Sequence, residues 1–160
     1  MGVAGCGKSS LAAALSQQLA CPWIEGDAFH PASNLAKMRA GVPLGDADRA
    51  GWLDVLAAQL HAQQPAVLAC SALKQAYRER LRRAVPGLNF VYLALSRDQA
   101  RVRVAQRAGQ HYFQPQLVDS QFDALEPPLQ EPGVLALDAM QALSQLQAKV
   151  IDWLQHKESV

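Results

Sequence analysis

Four short apolar runs are spaced along the chain, separated by longer segments with helical periodicity. These runs span residues 22–25, 66–70, 89–95 and 133–138. The last two are continuously apolar, which is typical of parallel strands that are covered on both faces of a sheet. The pattern therefore predicts four strands, each followed by a turn or a helix.

Helical patterns fill most of the chain between these strands. In residues 9–20, Leu11, Leu15 and Leu19 recur every four residues and form one apolar face. The other predicted helices span residues 47–63, 74–84, 98–108, 115–125 and 141–156. Strands that alternate with helices predict an α/β fold with a parallel sheet. A length of 160 residues fits one domain, residues 1–160.

Composition narrows the possible partners. Lys plus Arg (15) nearly balance Asp plus Glu (14), so there is no basic surplus to bind nucleic acid. A local basic run at residues 77–83 has helical spacing and is interpreted as a solvated helix face. The three cysteines lack the spacing of a disulfide framework or a zinc site, and no apolar run is long enough for a membrane helix. A soluble, cytoplasmic protein with no membrane partner is expected.

The clearest motif lies at the start of the chain, where residues 2–9 read G-x-x-x-x-G-K-S. In such a phosphate-binding loop, backbone amides converge on the phosphates, the lysine reaches the β- and γ-phosphates, and the serine ligates Mg²⁺. Lys8 and Ser9 take these two roles. The residues predicted to bind nucleotide here are Gly2, Val3, Ala4, Gly5, Cys6, Gly7, Lys8, Ser9 and Ser10. The Cys6 thiol, at a helix N-terminus, is also predicted to react faster with alkylating reagents than Cys21 or Cys70.

The strand that normally precedes such a loop is almost absent. Only residues 1–3 could form its end, and the loss of about five buried apolar residues at roughly 1.5 to 3 kcal/mol each would be comparable to a domain's whole stability. We therefore expect the natural protein to start upstream, with Met1 as an internal methionine.

Functional groups concentrate in residues 25–53, around turn-forming glycines and prolines. Asp27 follows a predicted strand, at the sheet edge where an open α/β fold binds its ligands. A carboxylate there could orient an attacking hydroxyl or hold Mg²⁺-bound water. For Asp46 and Asp48 a structural role is an alternative to a functional one, because either could cap the helix that follows.

Four blocks of sequence, taken together, resemble the gluconokinase family of small P-loop kinases. They read MGVAGCGKSS, GDAFHPASNLAKMRAGVPLGDADRAGWL, CSALKQAYRERLR and SQFDALEPP, in this order. The resemblance implies a three-layer P-loop NTPase fold with a parallel sheet of order 2-3-1-4-5, in which the first, central strand is truncated or missing here. It also implies ATP-dependent phosphorylation of D-gluconate to 6-phosphogluconate, ATP and Mg²⁺ as cofactors, and a homodimer.

The resemblance also implies a substrate region at about residues 26–53. Asp27 would be the catalytic base for the 6-hydroxyl of the sugar acid. The residues expected near that substrate are His30, Lys37, Arg49 and Lys74. Cations suit the carboxylate of a sugar acid, whereas acceptors suit its hydroxyls. A structural role for His30 before Pro31, and surface positions for the two lysines, remain open.

A lid is implied at about residues 107–116. Arg103 and Arg107 lie four residues apart, on one helix face. In this fold one such arginine lies against the adenine and the next contacts the transferring phosphates, which makes Arg107 a catalytic candidate. Gln110 departs from the family pattern as an insertion before His111. Arg97 and Arg101 are interpreted as surface charges.

Two alternatives remain. A non-catalytic nucleotide-binding module would fit residues 48–51, which spell the D-x-x-G of GTPases, but the chain has no N-K-x-D guanine-binding motif. A kinase of another small hydroxylated acid, such as shikimate, would be expected to carry D-x-D after the second strand. Residues 25–27 read E-G-D instead, with a single aspartate.

Overall fold

Strands and helices alternate along the chain in the computed structural model, which describes residues 1–106 and 116–158. The strands are β1 (Trp23–Glu25), β2 (Val67–Ala69), β3 (Phe90–Ala94) and β4 (Val134–Asp138). The helices are α1 (Lys8–Leu19), α2 (Ala32–Arg39), α3 (Asp46–Ala62), α4 (Gln75–Ala84), α5 (Arg97–Gln106), α6 (Gln116–Ala124) and α7 (Leu143–Glu158). A 3₁₀ turn, Gly26–Phe29, follows β1 directly.

All four predicted strands are present, each slightly shorter than its apolar run. The predicted helices also form, whereas α2 and the 3₁₀ turn were not among them. Gly45 is the N-cap of α3, so neither aspartate holds that position, but Asp48 Oδ2 accepts a hydrogen bond from the Gly45 amide at 2.9 Å. The capping interpretation therefore applies to Asp48, which acts from inside the first turn of α3.

The sheet is parallel and is joined at its centre by the first residues of the chain. β1 pairs with β2, and β3 pairs with β4. Between the two pairs, the Met1 nitrogen donates to the Val91 carbonyl at 2.6 Å and the Leu93 amide donates to the Met1 carbonyl at 3.0 Å. On the other side the Gly2 amide donates to the Ser71 carbonyl at 3.1 Å. The resulting order, β1-β2-(residues 1–3)-β3-β4, agrees with the predicted 2-3-1-4-5.

Met1 lines a cavity of about 600 Å³ together with residues of β2 and β3. Its lining includes apolar side chains of both strands and of α1, among them Val67, Leu68, Val91, Leu11 and Leu15. The first residues thus form only a short central segment of the sheet, and a cavity lies between the two strands that flank it.

Two apolar clusters hold the helices against the sheet. The first contains Val3, Leu11 and Leu15 together with buried residues of α5, α6 and α7. The second joins Ile24 and Phe90 to buried residues of α3 and α4. Helix, sheet and helix therefore form the three layers that the family resemblance implies. None of the helices in the described residues is long and apolar enough to cross a bilayer.

The basic run at residues 77–83 is not the uniform solvated face that was predicted. The Arg78 side chain is 1% exposed and donates hydrogen bonds to the carbonyls of Ala72, Leu73 and Glu126 at 2.8 to 2.9 Å. It also forms an ion pair with Glu131 at 2.5 Å. The prediction was wrong for Arg78 because helical spacing does not reveal which position faces a neighbouring loop with free carbonyls. Arg78 fixes the segment after β2, which reaches the candidate site.

Candidate active site

The first turn of α1 forms the phosphate-binding end of the site. Gly7, the N-cap of α1, has φ 94°, a left-handed conformation that favours glycine. No side chain caps this helix and its first turn has no acidic residue. The amides of the first turn thus keep their hydrogen-bonding capacity, and the positive end of the helix faces the loop. This arrangement suits a phosphate group.

Lys8 and Cys6 are fixed within the loop in different ways. Lys8 Nζ donates to the Val3 carbonyl at 3.0 Å, so the ammonium lies over the loop. Cys6 is 1% exposed and belongs to the apolar cluster around Val3. The predicted reactivity of Cys6 is therefore not supported, because its buried thiol is not accessible to an alkylating reagent. Any contact between Cys6 and a nucleotide would then be made by its backbone, and this contact stays a prediction.

Gly26 allows the 3₁₀ turn to begin where β1 ends. A Cβ atom at this position would lie 2.6 Å from the Ala69 carbonyl oxygen of β2, which no larger residue could tolerate without a backbone shift. The Gly26 carbonyl accepts a hydrogen bond from Trp52 Nε1 of α3 at 2.8 Å. The turn is thus fixed to the sheet and to α3, and it carries Asp27 to the sheet edge.

Asp27 lies at a cavity of about 70 Å³ beside the phosphate-binding loop. Five of the residues predicted from the sequence meet there, namely Ala4, Lys8, Asp27, His30 and Arg49. The lining consists of Ala4, Lys8, Asp27, His30, Met38, Pro43, Leu44, Arg49, Ser71, Leu117, Ser120 and Gln121. The donor loop therefore shares one pocket with three of the predicted acceptor residues, Asp27, His30 and Arg49. The Asp27 side chain is 70% exposed, so its carboxylate is accessible to a ligand.

The His30 side chain lies beside Asp27 and is 5% exposed. Its ring stacks on Trp52, with 4.3 Å between ring centroids and an interplanar angle of 13°. The Nε2 atom lies 3.9 Å from Asp27 Oδ1, and Nδ1 lies 3.2 Å from Asn34 Nδ2. Burial lowers the pKa of His30 from its ordinary value, and the nearby Arg49 charge lowers it further, whereas Asp27 opposes this. The ring is therefore held in the neutral form at neutral pH.

Arg49 brings a buried positive charge to the pocket. It is 9% exposed, and its Nη1 donates to the Leu44 carbonyl. The guanidinium carbon lies 5.9 Å from the centre of the Tyr77 ring. Among the ion pairs within residues 1–106 and 116–158, none involves Arg49. A buried guanidinium without a carboxylate partner is suited to an anionic ligand.

Lys37 and Lys74, in contrast, already have carboxylate partners. Lys37 Nζ lies 2.6 Å from Asp48 Oδ1, and Lys74 Nζ lies 2.7 Å from Asp46 Oδ1. The Lys74 hydrogen bond, followed by one from the Tyr77 hydroxyl, lowers the pKa of Asp46. The Lys37 hydrogen bond lowers the pKa of Asp48. Neither lysine lines the pocket, and their predicted contact with substrate stays a prediction.

Sequence reasoning assigned no role to Gln121, although it lies in the last of the four quoted blocks. Its Oε1 atom accepts a hydrogen bond from the Ala4 amide at 2.6 Å. Ser71 also lines the pocket and was noted only as part of a sheet-edge segment. Their positions in the sequence could have indicated a role in the site, because Ser71 follows a predicted strand and Gln121 follows the implied lid.

The structure describes only part of the region that is implied to bind adenine and to form the lid. Arg103 Nη1 donates to the Gly5 carbonyl at 3.3 Å, which places this arginine against the loop. Arg107, Gln110 and His111 fall outside the described residues, as does the implied lid apart from its last residue. Arg97 and Arg101 form ion pairs with Asp119 of α6, which agrees with their interpretation as surface charges.

The donor set of the site fits Mg²⁺ better than it fits a metal held by protein ligands alone. No group of three or more His, Cys, Asp or Glu residues within the described ranges could hold a metal ion. Mg²⁺ commonly takes one or two protein oxygens and completes its shell with water and substrate phosphates. The exposed Ser9, in the first turn of α1, offers one such oxygen.

Comparisons with known proteins identify the class of the chain. A family model described as an AAA domain matches residues 1–132. The chain is 40% identical to thermoresistant gluconokinase of Escherichia coli K12 over 157 residues, which cover 95% of this chain and 89% of that one. It is 42% identical to gluconokinase of Gluconobacter oxydans 621H over 139 residues, 84% of this chain and 78% of that one.

A solved structure gives the same result. The crystal structure of a gluconokinase from Sinorhizobium meliloti 1021 superposes with a TM-score of 0.86 and 38% identity, covering 98% of this chain and 94% of that one. The fold and the glycine-rich loop define a P-loop kinase, a class that uses ATP and typically Mg²⁺. Within that class, the chain belongs to the gluconokinase family.

Proposed function

We propose that the protein transfers the γ-phosphoryl group of ATP to the 6-hydroxyl of D-gluconate. The observation that carries this proposal is the single pocket lined by Lys8 of the donor loop, Asp27 and Arg49. The names of the matched relatives, which are gluconokinases, support the choice of acceptor. In this proposal each end of the sugar acid has its own partner in the pocket.

Arg49 would bind the carboxylate of gluconate. A buried cation is costly unless it is paired, and the ion pairs of the described residues leave this guanidinium without a carboxylate. An acidic substrate would supply the missing charge. Because carboxylate recognition by arginine is directional and charge-assisted, it would also distinguish gluconate from a neutral sugar such as glucose.

Asp27 would act at the other end of the acceptor, as the base for the 6-hydroxyl. Its carboxylate is exposed, lies at the pocket that includes Lys8, and belongs to a turn that Trp52 holds in place. A carboxylate within hydrogen-bond reach of the hydroxyl can orient it for in-line attack and receive its proton. Lys8 would neutralise charge on the transferring phosphoryl group.

The remaining donor-side assignments follow the loop. The amides of residues 5–9 would bind the phosphates, and Ser9 would contribute the protein ligand to Mg²⁺, which neutralises phosphate charge when bound. Arg103 and Arg107 would contact the nucleotide and the transferring group. The homodimer, the cytoplasmic location and the absence of nucleic-acid and membrane partners belong to the same proposal.

Two observations disfavour the other functions considered. The single Asp27 after β1 does not match the D-x-D expected of a shikimate kinase. A non-catalytic module would not need an accessible carboxylate and a buried cation beside the donor loop. An ADP-release assay with gluconate, shikimate, glucose and gulonate tests the choice. We expect the highest kcat/KM with gluconate and strong loss of that rate in Lys8→Ala. ADP release that is independent of any acceptor would favour the module.

A further inference from the structure

The Asn34 side chain contacts the Nδ1 atom of the His30 ring. Asn34 is 2% exposed, and its Nδ2 atom donates a hydrogen bond to the Asp48 carbonyl at 2.8 Å. A carbonyl can only accept hydrogen bonds, so this contact fixes which end of the Asn34 amide carries the NH₂ group. The same Nδ2 atom lies 3.2 Å from His30 Nδ1.

This contact determines the tautomer of His30. Because Asn34 presents a donor, Nδ1 must accept, and a neutral imidazole then carries its proton on Nε2. The ring has little freedom to rotate away, since it is buried and stacks on Trp52 at 4.3 Å. The Nε2–H group therefore faces the Asp27 carboxylate, which lies 3.9 Å away.

A separation of 3.9 Å between Nε2 and Oδ1 exceeds a normal hydrogen bond, for which about 2.7 to 3.2 Å is usual. The two groups thus present a donor and an acceptor side by side at the pocket, and both can contact a third atom. A hydroxyl oxygen complements this pair, because it can accept from Nε2–H while its own proton is donated to the carboxylate.

We propose that Asn34 is a positioning residue that fixes His30 as the Nε2–H tautomer, so that His30 donates a hydrogen bond to the hydroxyl oxygen that Asp27 deprotonates. The second part rests on the proposed function. His30 is then a donor to substrate and not a second base. In the reaction the hydroxyl oxygen forms a bond to the γ-phosphorus of ATP, and its proton passes to Asp27. The bond from that phosphorus to the bridging oxygen breaks, and ADP retains the electron pair.

The tautomer can be measured without turnover, by ¹⁵N NMR of histidine-labelled protein above the ordinary histidine pKa of about 6.5. The His30 signals are assigned by comparison with His30→Gln. We expect an unprotonated Nδ1 and a protonated Nε2 in the unmodified protein. In Asn34→Asp, where a carboxylate would accept from Nδ1, the proton should move to Nδ1 or the ring should become charged. A proton on Nδ1 in the unmodified protein, or an unchanged tautomer in Asn34→Asp, would overturn the inference.

Kinetics supply the second measurement. Asn34→Ala should raise KM for gluconate about tenfold with an unchanged KM for ATP, which corresponds to the loss of one well-formed hydrogen bond. Asn89→Ala is the matched control, because Asn89 is exposed and its side chain bonds Lys157 instead. Equal KM values for gluconate in Asn34→Ala and the control would contradict the positioning role. If the tautomer is as inferred but gluconate is not phosphorylated, the proposed function fails and the tautomer assignment stands.

Discussion

Gln121 Oε1 accepts a hydrogen bond from the backbone amide of Ala4, at 2.6 Å. The two residues are 117 positions apart, so this contact joins α6 to the phosphate-binding loop across a long stretch of sequence. α6 also contributes Leu117 and Ser120 to the pocket that holds Asp27. The donor loop and the acceptor pocket therefore share a wall, and a change in α6 should affect both substrates.

We predict that Gln121→Leu lowers kcat/KM for ATP about tenfold, because the Ala4 amide loses its partner and the loop loses one fixed point. Steady-state kinetics with varied ATP measure this effect. Gln18→Leu is the control, since Gln18 is exposed on α1 and bonds Gln147, away from the pocket. Unchanged ATP kinetics in Gln121→Leu would show that the contact does not organise the loop.

Arg49→Gln should weaken the binding of gluconate and leave that of ATP nearly unchanged. We expect KM for gluconate to rise about 10- to 100-fold, the size of a lost charge-assisted hydrogen bond, while KM for ATP stays within about twofold. Arg49→Lys should restore only part of the affinity, because an ammonium cannot bind a carboxylate through two parallel bonds. Equal rises in both KM values would indicate a general structural defect and would argue against carboxylate recognition.

Arg78→Met should destabilise the protein by about 3 to 5 kcal/mol, because it leaves Glu131 and three backbone carbonyls without their buried partner. Urea unfolding followed by circular dichroism gives the free energy of unfolding. The matched control is Arg80→Met, on the same helix, where the ion pair with Asp54 is far more exposed than that of Arg78, at 37% for Arg80 and 60% for Asp54. Exposed pairs contribute little, so a similar loss in both variants would refute the structural role of Arg78.

The Arg78 contact also predicts a pH dependence. Arg78, and then Arg82, hold the pKa of Glu131 below its ordinary value of 4.5. Such a carboxyl stabilises the fold above its unfolded-state pKa, and this contribution is lost as the pH falls through the lowered pKa of the folded state. The difference in free energy of unfolding between the unmodified protein and Glu131→Gln should be constant near neutral pH and shrink below about 4.5.

Urea titrations from neutral pH down to the acid range test this dependence. Glu79→Gln serves as a control, since Glu79 is exposed and bonds Gln75 on the same helix. A stability difference for Glu131→Gln that does not change with pH would contradict the assigned cause.

The sequence was sufficient to predict those strands, helices and loops that are marked by a pattern of neighbouring residues. Short apolar runs were sufficient to predict the four strands, and the glycine-rich loop indicated the donor site. α2 was not predicted, because it lies between Pro31 and Gly41 in a segment rich in polar residues. The helix forms where Asn34 and Lys37 contact α3, and such tertiary contacts leave no periodic signature.

Within the site, residue type alone did not separate binding residues from ion pairs. Arg49, Lys37 and Lys74 are all cations in the quoted blocks, but only the structure shows that both lysines face aspartates while Arg49 lines the pocket. Whether each of these cations pairs with an aspartate or lines the pocket depends on how the neighbouring elements pack against α3. Arg78 was misjudged for the same reason, since burial is decided by the loop that packs over it.

The most direct test of the account is the identity of the product. The protein is incubated with ATP, Mg²⁺ and D-gluconate, and the mixture is analysed by ³¹P NMR with correlation to protons. We predict one new phosphate ester, coupled to the protons on carbon 6 of gluconate, formed in a one-to-one ratio with ADP. ADP that accumulates without an ester, or an ester on any other oxygen, would contradict the assignment of the Asp27 and Arg49 pocket to the two ends of gluconate.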